Sequence, residues 1–281
     1  MLFLLTIIAM SSILIIVSLG LAIIFGVMKV ANLSHGEFIM IGAYACYVIM
    51  NVFEINFLIA LPIGFIVSGL VGLLTYIVLI KHVVKSGLLA PLLITWATSI
   101  IFQEIAKLVF GPRFQNIGNP FPERLLILGQ AFPVYYLIVI GVNIAILLIV
   151  IFIYTKTRFG IICRATSEDY VSAECMGINV DRIYAYAFVL GSGLAGLAGV
   201  LLAPIVNVSP MMGIYYVIKS FFVVIIGGIG NILGVCASGA LIGGGEQVLS
   251  NFMERSISEI MLMFLMIAVL IIRPKGLFKN K

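Results

Sequence analysis

Histidine and acidic residues are the first candidates for catalytic or metal-binding chemistry in this chain of 281 residues. His35 lies close to Glu37, and the only other histidine is His82. A catalytic zinc site needs about three protein ligands, and the sequence contains no H-E-x-x-H motif. The four cysteines do not show C-x-x-C spacing; they are Cys46, Cys163, Cys175 and Cys236. We therefore expect neither a metal site nor a structural disulfide.

A glycine-rich stretch, Gly191–Gly196, matches the pattern G-x-G-x-x-G. That pattern binds a dinucleotide only where it follows a strand in a soluble βαβ unit, whereas this stretch lies inside the uncharged run 183–218. Small residues in such a run are typical of close helix packing in membranes. We assign this packing role to Gly191, Gly193, Gly196, Gly199, Gly227, Gly228 and Gly230.

The chain lacks the residues that nucleotide hydrolysis and intramembrane aspartic proteolysis require. No G-x-x-x-x-G-K-[ST] sequence is present, so we expect no cofactor on this chain and any ATP and Mg²⁺ on a partner subunit. The only aspartates are Asp169 and Asp181, which lie together in a charged segment rather than in apolar runs. The chain is therefore predicted not to be an enzyme.

Composition indicates an integral membrane protein. Hydrophobic residues make up 63% of the chain and charged residues 10%, with a mean hydropathy of +1.28. A soluble domain carries about 25% charged residues, so a soluble enzyme, a disordered protein and a nucleic-acid-binding protein are excluded. The net charge of +5 reflects membrane topology, since basic residues collect in cytoplasmic loops.

Uncharged runs predict the elements that position these residues. Because backbone polar groups in lipid need internal partners, long runs without strand alternation should be helices. We predict an all-α polytopic protein forming one domain, 1–281, with about eight or nine transmembrane helices, some of them short or re-entrant at glycine breaks. The runs are 1–28, 38–53, 55–80, 86–103, 125–155, 183–218, 220–245 and 260–272.

Two hydrophilic segments separate these runs. Segment 107–132 contains several Pro and Gly residues and is predicted to be an external loop. Segment 156–182 carries eight charges and is predicted to be cytoplasmic, with a short surface helix from Glu168 to Met176. By the positive-inside rule the tail also lies in the cytoplasm; its basic residues are Arg273, Lys275, Lys279 and Lys281.

Polar residues between or inside apolar runs are candidates for a substrate pathway. The segment around His35 is either an interfacial polar turn or a broken helix whose polar groups line a path or brace the turn. Lys219 either faces the bundle interior or extends its amine to the membrane surface. The pathway candidates are Asn32, Ser34, His35, Glu37, Lys219 and Asn231.

Several motifs together resemble the permeases of branched-chain amino-acid ABC importers. Residues 26–44 read GVMKVANLSHGEFIMIGAY, similar to the amino-terminal signature of that family. The charged segment is similar to the family's long cytoplasmic loop at Arg158–Gly160, Arg164–Ala165, Glu168–Asp169 and 176–182. Further similar motifs are Met212–Gly213, Lys219–Phe221, Gly227–Gly230 and 273–278, so the resemblance covers nearly the whole chain.

The resemblance implies a multi-pass permease subunit in the plasma (inner) membrane. Its expected partners are a second permease chain, identical or paralogous, two cytoplasmic ATPase subunits and an extracytoplasmic solute-binding protein. The charged loop would transmit ATPase movement, with Glu168, Ala173, Met176 and Gly177 as contacts beside the Arg164–Ala165 motif. Arg164 and Asp181 would fix the loop.

Alternative functions remain open from the sequence. The chain also resembles the urea and short-amide branch of the same family. An ion-coupled secondary transporter is a second alternative, which would use intramembrane carboxylates to bind protons or sodium. Inverted repeats are common in that class, but the faint similarity between 26–50 and 227–250 does not discriminate. A passive channel would differ by lacking a coupling loop.

Overall fold

A computed structural model of the protein describes residues 2–87, 89–127, 130–273 and 276–277. The described elements form a helical bundle with one small hairpin. The helices are α1 (Leu2–Met28), α2 (His35–Tyr47), α3 (Phe57–Thr75), α4 (Lys81–Val83), α5 (Leu89–Phe110), α6 (Val134–Lys156), α7 (Arg158–Glu168), α8 (Tyr170–Cys175), α9 (Val180–Leu202), α10 (Met212–Gly227), α11 (Ile232–Phe252) and α12 (Arg255–Ile272). Short π-helical segments, Val48–Val52 and Tyr76–Ile80, follow α2 and α3.

Six described helices are long and apolar enough to cross a membrane: Phe3–Met28, Phe57–Val83, Leu89–Phe110, Val134–Lys156, Val180–Leu202 and Ile232–Phe252. Two shorter apolar helices, Met212–Gly227 and Ser256–Ile272, accompany them. These helices confirm the prediction of an all-α polytopic membrane protein. The number of crossings stays a prediction, since short helices such as α2 do not span a bilayer core of about 30 Å.

Helix α9 lies at the centre because its small residues let neighbouring backbones approach closely. A β-carbon at Gly196 would lie 2.6 Å from the carbonyl oxygen of Gly64 in α3. One at Gly199 would lie 3.0 Å from the backbone nitrogen of Ala43 in α2. Helix association in lipid depends on such packing, because burial from water supplies no driving force there.

The helix order repeats within the bundle. In the first half α1 is followed by the non-helical segment 29–34, then by α2 and α3; in the second half α9 is followed by segment 203–211, then by α10 and α11. Helix α3 packs against α2 and α9, and α11 packs against α10 and α1. Each half therefore places its third helix against the first helix of the other half.

The two halves run in opposite directions. Tyr135 at the start of α6 donates a hydrogen bond of 2.7 Å to the carbonyl of Leu201 at the end of α9. Helix α6 then follows α1 in parallel, since Asn143 donates to the Ser12 hydroxyl and Tyr154 lines one cavity with Ile23. Helices α1 and α9 are consequently antiparallel.

Reciprocal glycine contacts lie where the two halves meet. A β-carbon on Gly20 would be 2.5 Å from the Gly191 carbonyl oxygen, and one on Gly191 would be 2.5 Å from the Gly20 carbonyl oxygen. Gly36 and Gly213 approach each other in the same reciprocal way, and each is the second residue of its helix, α2 or α10. The bundle is therefore an inverted repeat. In this repeat α1 corresponds to α9. The segments 26–50 and 227–250, whose sequences are faintly similar, do not correspond to each other.

The segment predicted as an external loop is more ordered than its composition indicates. Helix α5 continues to Phe110, and the chain beyond it forms an antiparallel hairpin of β1 (Arg124–Ile127) and β2 (Gln130–Pro133). Gln115 and Val208 exchange two backbone hydrogen bonds of 2.9 Å, which join this segment to 203–211.

The charged segment contains two helices where one was predicted. Helix α7 ends at Glu168, and Asp169 begins α8 by accepting a hydrogen bond of 3.0 Å from the backbone N–H of Val171. Since Asp is a strong N-cap residue, it separates the two helices. The tail lysines Lys275, Lys279 and Lys281 lie outside the described residues.

Candidate functional site

A buried polar cluster lies at the break between α1 and α2. The Asn32 carboxamide oxygen accepts hydrogen bonds from the Ser34 hydroxyl at 2.7 Å and from the Ser34 backbone N–H at 3.1 Å. The His35 Nε2 lies 3.0 Å from the carbonyl oxygen of Val17 in α1. This local network supplies partners for backbone that the helices leave unpaired.

Glu37 connects the same break to α5. Its Oε1 accepts hydrogen bonds of 2.8 Å from the Ser99 hydroxyl and the Gln103 amide, and Gln103 also donates to Ser99 at 3.1 Å. Nearby on α5, Thr95 Oγ1 accepts from the backbone N–H of Leu33 at 3.2 Å. The polar face of α5 is therefore hydrogen-bonded to the residues around the break.

The four pathway candidates of the break are enclosed in this conformation. Asn32, Ser34, His35 and Glu37 are all 0% exposed. Their side chains face α1, α5 and one another. In this conformation they therefore make contacts that stabilise the break between α1 and α2. Lining of a path stays a prediction for another conformation.

Lys219 lies inside the bundle on α10 and pairs with Glu246 of α11. The Lys219 Nζ lies 2.5 Å from the Glu246 Oε1, and the two side chains are 7% and 12% exposed. The same amine lies 3.9 Å from the centroid of the Tyr215 ring. This geometry differs from the snorkelling alternative, in which the amine would lie at the membrane surface.

Asn231 has a local backbone role in the structure. Its side chain accepts a hydrogen bond of 3.0 Å from the Gly234 N–H and caps α11.

Gly228 and Gly230, predicted as packing residues, have φ of 90° and 81° and turn the chain between α10 and α11. A β-carbon at Gly230 would meet nothing within 4 Å, so turn formation rather than packing explains that glycine. Gly227 does pack closely, because a β-carbon there would lie 2.7 Å from the Ser238 hydroxyl.

The charged segment is held against α4 and the residues just beyond it, at the end of the helical run that α3 begins. Lys85 pairs with Glu174 at 2.9 Å, and Lys81 pairs with Asp181 at 3.2 Å. The Lys85 amine also lies 5.4 Å from the Tyr170 ring centroid. Each exposed pair contributes little alone, but together they join α8 and the start of α9 to one neighbouring helix end.

Arg164 anchors α7 from its other side. Its guanidinium donates a hydrogen bond to the Tyr154 carbonyl and lies 5.6 Å from that residue's ring. Gly160 packs directly on the backbone of Tyr154, where a β-carbon would overlap it. Helix α7 therefore has a fixed position against the end of α6.

The remaining coupling candidates divide by exposure. Arg164, Ala165, Glu168 and Gly177 are exposed, and Met176 is 83% exposed. An exposed methionine next to a polar turn is a suitable contact for another protein.

Ala173 differs from its predicted role as a contact with a partner subunit. It is 4% exposed, because α8 turns this residue toward the bundle, so it supports the loop from inside the chain. Gly177 has a φ of 82°, a conformation that ends α8 and that other residues adopt only with strain.

Two ionisable groups of this segment have shifted pKa values. The hydrogen bond to Glu174 raises the pKa of Lys85. The hydrogen bonds that Asp169 accepts from Ser172 and from the Val171 N–H lower the pKa of its carboxyl group. Both shifts favour the charged forms on which the loop geometry depends.

The sequence analysis did not identify the α5 residues that contact the break, nor the ion-pair partners of the basic residues beyond α3. Thr95, Ser99 and Gln103 recur every four residues within an apolar helix, and that spacing indicates one polar helix face. Lys81 and Lys85 have the same spacing beyond α3, but nothing in the sequence identifies Asp181 and Glu174 as their partners. Among the described residues, no group of three or more His, Cys, Asp or Glu side chains could hold a metal ion.

An inverted-repeat bundle with a buried polar break, a buried ion pair and a fixed surface loop defines a multi-pass membrane transport protein. The chain belongs to the family "Branched-chain amino acid transport system / permease component", whose model matches residues 3–270.

Curated relatives are similar along nearly the whole of this chain. The probable branched-chain amino acid transport permease protein LivH of Methanocaldococcus jannaschii is 27% identical over 95% of this chain and 89% of the relative. The LivH permease protein of Salmonella typhimurium, from a high-affinity branched-chain amino acid transport system, is 29% identical over 93% and 90%. The LivM permease protein of the same organism is 27% identical over 95% of this chain and 68% of the relative. No solved structure matches the chain significantly.

Proposed function

We propose that this chain is the membrane-spanning subunit of an ATP-driven importer that carries branched-chain amino acids delivered by an extracytoplasmic binding protein. Support comes from the family and from relatives that are named for this substrate class. Those names do not favour the urea and short-amide alternative.

The proposed complex contains a second permease chain, two ATPase subunits and the binding protein. Similarity to both LivH and LivM, two permease proteins of one organism, supports pairing with a paralogue. ATP and Mg²⁺ would be bound by the ATPase subunits. The hairpin β1–β2 and segment 111–123 would lie outside the cell and receive the binding protein.

The observation that carries the coupling role is the attachment of α7–α8 to three helix ends. Lys85, just beyond α4, pairs with Glu174 of α8; Arg164 joins α7 to the end of α6; and Lys81 of α4 pairs with Asp181 at the start of α9. A force applied to α8 would therefore reach several transmembrane helices. In this proposal the loop and the carboxyl terminus are cytoplasmic, and Glu168, Met176 and Gly177 contact the ATPase.

Co-purification tests this proposal directly. The chain is expressed with its neighbouring importer subunits, purified from gently solubilised membranes and assayed for ATP hydrolysis. Met176→Asp is expected to lose most of the co-purified ATPase, because a charge replaces an exposed apolar contact. The matched control is Leu126→Asp in the hairpin, where Leu126 is 79% exposed on the opposite side of the bundle.

Two results would contradict the proposal. One is normal ATPase recovery and normal stimulation of hydrolysis with Met176→Asp, which would remove α8 from the interface. The other is uptake by this chain alone, driven by an ion gradient, which would favour a secondary transporter.

A further inference from the structure

The ion pair of Lys219 and Glu246 is the most shielded one among the residues that the structure describes. Its side chains are 7% and 12% exposed, whereas the other three described pairs have at least one partner that is 46% exposed or more. Removing two charges from water costs about as much as, or more than, their attraction returns, so such a pair is a weak source of stability. Ionisable residues in membrane segments usually mark the route of a substrate.

The surroundings of the pair combine charge with apolar surface. Lys219 and Glu246 lie in the wall of a small cavity whose remaining lining is mainly apolar. Met10 and Leu14 of α1, Leu202 of α9 and Tyr216 of α10 line the same cavity. The lining thus combines adjacent positive and negative groups with aliphatic side chains from other helices.

This arrangement matches an amino acid with an aliphatic side chain. Such a molecule carries an ammonium and a carboxylate on one carbon and an apolar group on the same carbon. The cavity measures about 30 Å³ in the described conformation, room for about one water molecule. Entry of an amino acid therefore requires α1 to separate from α10 and α11.

We propose that a translocating α-amino acid inserts its charged head group into the Lys219–Glu246 pair. The substrate carboxylate binds Lys219, the substrate ammonium binds Glu246, and the aliphatic side chain contacts α1. One ion pair is replaced by two, so the net charge inside the membrane stays zero throughout. This inference rests on the proposed function and specifies how its substrate class is recognised inside the permease.

Pair exchange, the replacement of the Lys219–Glu246 ion pair by two ion pairs with the substrate, explains why both charges are needed. A zwitterion crossing an apolar pathway leaves its hydration shell, and each charge costs several kcal/mol unless a partner replaces water. A pre-formed pair supplies both partners at once. A neutral amide would not need to separate the pair, so the site selects for the zwitterionic head group.

The test uses the complete importer in proteoliposomes with radiolabelled leucine. Lys219→Gln/Glu246→Gln removes both charges while keeping side chains that can hydrogen-bond. The initial uptake rate is expected to fall by about tenfold or more, because the charges of the substrate then lack partners. The matched control is Glu104→Gln/Lys107→Gln, an exposed pair of similar length at 2.6 Å, which should keep wild-type uptake.

A chemical measurement on the wild-type complex covers the case in which the double variant fails to assemble. A hydrophobic carbodiimide labels membrane-embedded carboxyl groups, and labelling of Glu246 is quantified by mass spectrometry during ATP-driven turnover. Leucine is expected to slow labelling of Glu246 and to leave labelling of Glu104 unchanged.

The outcomes separate the two proposals. If the wild-type importer does not take up leucine or another branched-chain amino acid, the proposed function fails. If the wild type transports leucine and the double glutamine variant does so at a similar rate, the pair-exchange inference alone fails. Equal carbodiimide labelling of Glu246 with and without leucine would also overturn it.

Discussion

Single residues of this protein keep polar chemistry inside an apolar bundle by local hydrogen bonding. Glu37 is the clearest case, since a carboxylate with 0% exposure receives two donors from one face of α5. Leaving such a group without donors costs roughly 1–3 kcal/mol or more. The stability of such a buried polar group therefore depends more on its hydrogen-bond partners than on the hydropathy of its segment.

Replacing Gln103 with Ala should destabilise the protein. The change removes one of the two donors to Glu37 and should lower the free energy of unfolding by roughly 1–3 kcal/mol. Thermal denaturation in detergent measures the loss. The control is Thr98→Val, because Thr98 donates only to the carbonyl of Ile94 in its own helix. An equal change in both variants would show that the Glu37 contact has no special role.

Asp169 should make the start of α8 sensitive to acid. Its pKa is lowered from 3.8, so the charged carboxylate stabilises the helix start above pH 3.8, and this stabilisation is lost as the pH falls through the lowered value. The protection factors of backbone amides in α8, which correct for the intrinsic pH dependence of exchange, should therefore fall at acid pH relative to those in α7. In Asp169→Asn the amide oxygen still caps the helix, and the acid-dependent change should disappear. Its persistence would assign the effect to another group.

Helices in this bundle meet at glycines, and several of the tight contacts join the two halves. Gly36 and Gly213 place the first turns of α2 and α10 in backbone contact. The glycine pattern of α9 could be predicted from the sequence because it recurs on one helix. The glycine pairs between halves could not, because Gly20 and Gly191 are distant in the chain and Gly20 lies in an ordinary apolar run.

Gly213→Ala should destabilise the junction of the halves. A β-carbon there would lie 2.5 Å from the Gly36 carbonyl oxygen, and relief requires movement of α10 against α2. We expect a loss of roughly 1–3 kcal/mol or more in the free energy of unfolding. Gly141→Ala in α6 is the control, because a β-carbon there meets nothing within 4 Å. It should be neutral or stabilise the helix by up to about 1 kcal/mol. Similar melting temperatures for both variants would contradict this account.

The end of α8 should be sensitive to any side chain at Gly177. A β-carbon would have free space, but a φ of 82° is unfavourable for other residues. Gly177→Val is therefore expected to distort the turn that carries Met176 and to uncouple ATP hydrolysis from uptake. Gly141→Val, on an exposed face of α6 where a β-carbon meets nothing within 4 Å, provides the control. Normal uptake and normal stimulation of ATP hydrolysis in Gly177→Val would show that the turn is not part of the coupling surface.

At the scale of the whole molecule, the sequence predicted what depends on composition and missed what depends on long-range pairing. Apolar runs predicted most of the helices, although α10 continues through Lys219, which separates the runs 183–218 and 220–245. Asp169 divided a predicted helix because its capping role competed with helix continuation. The β1–β2 hairpin and the antiparallel halves depend on contacts between distant segments, and no local pattern reports those.

The native thiols provide a test of orientation. Cys175 is exposed on α8, whereas Cys46 and Cys163 are buried and Cys236 is partly buried. If α8 is cytoplasmic, a membrane-impermeant maleimide should label Cys175 in inverted vesicles and not in intact cells. Cys175→Ser should abolish that labelling. Labelling of Cys175 in intact cells would reverse the predicted topology.

The antiparallel halves also imply what a second conformation of the chain looks like. The halves share a plan but differ in detail: α2 is secured by the Glu37 cluster to α5, whereas α10 is secured by an ion pair to α11. If each half adopted the internal arrangement of the other, the bundle would be the same object seen from the opposite membrane surface, with its opening on the other side. Each half is thus a template for a second conformation of the other. Spin labels placed on equivalent positions of the two halves would report whether the distances within one half become those of the other during turnover.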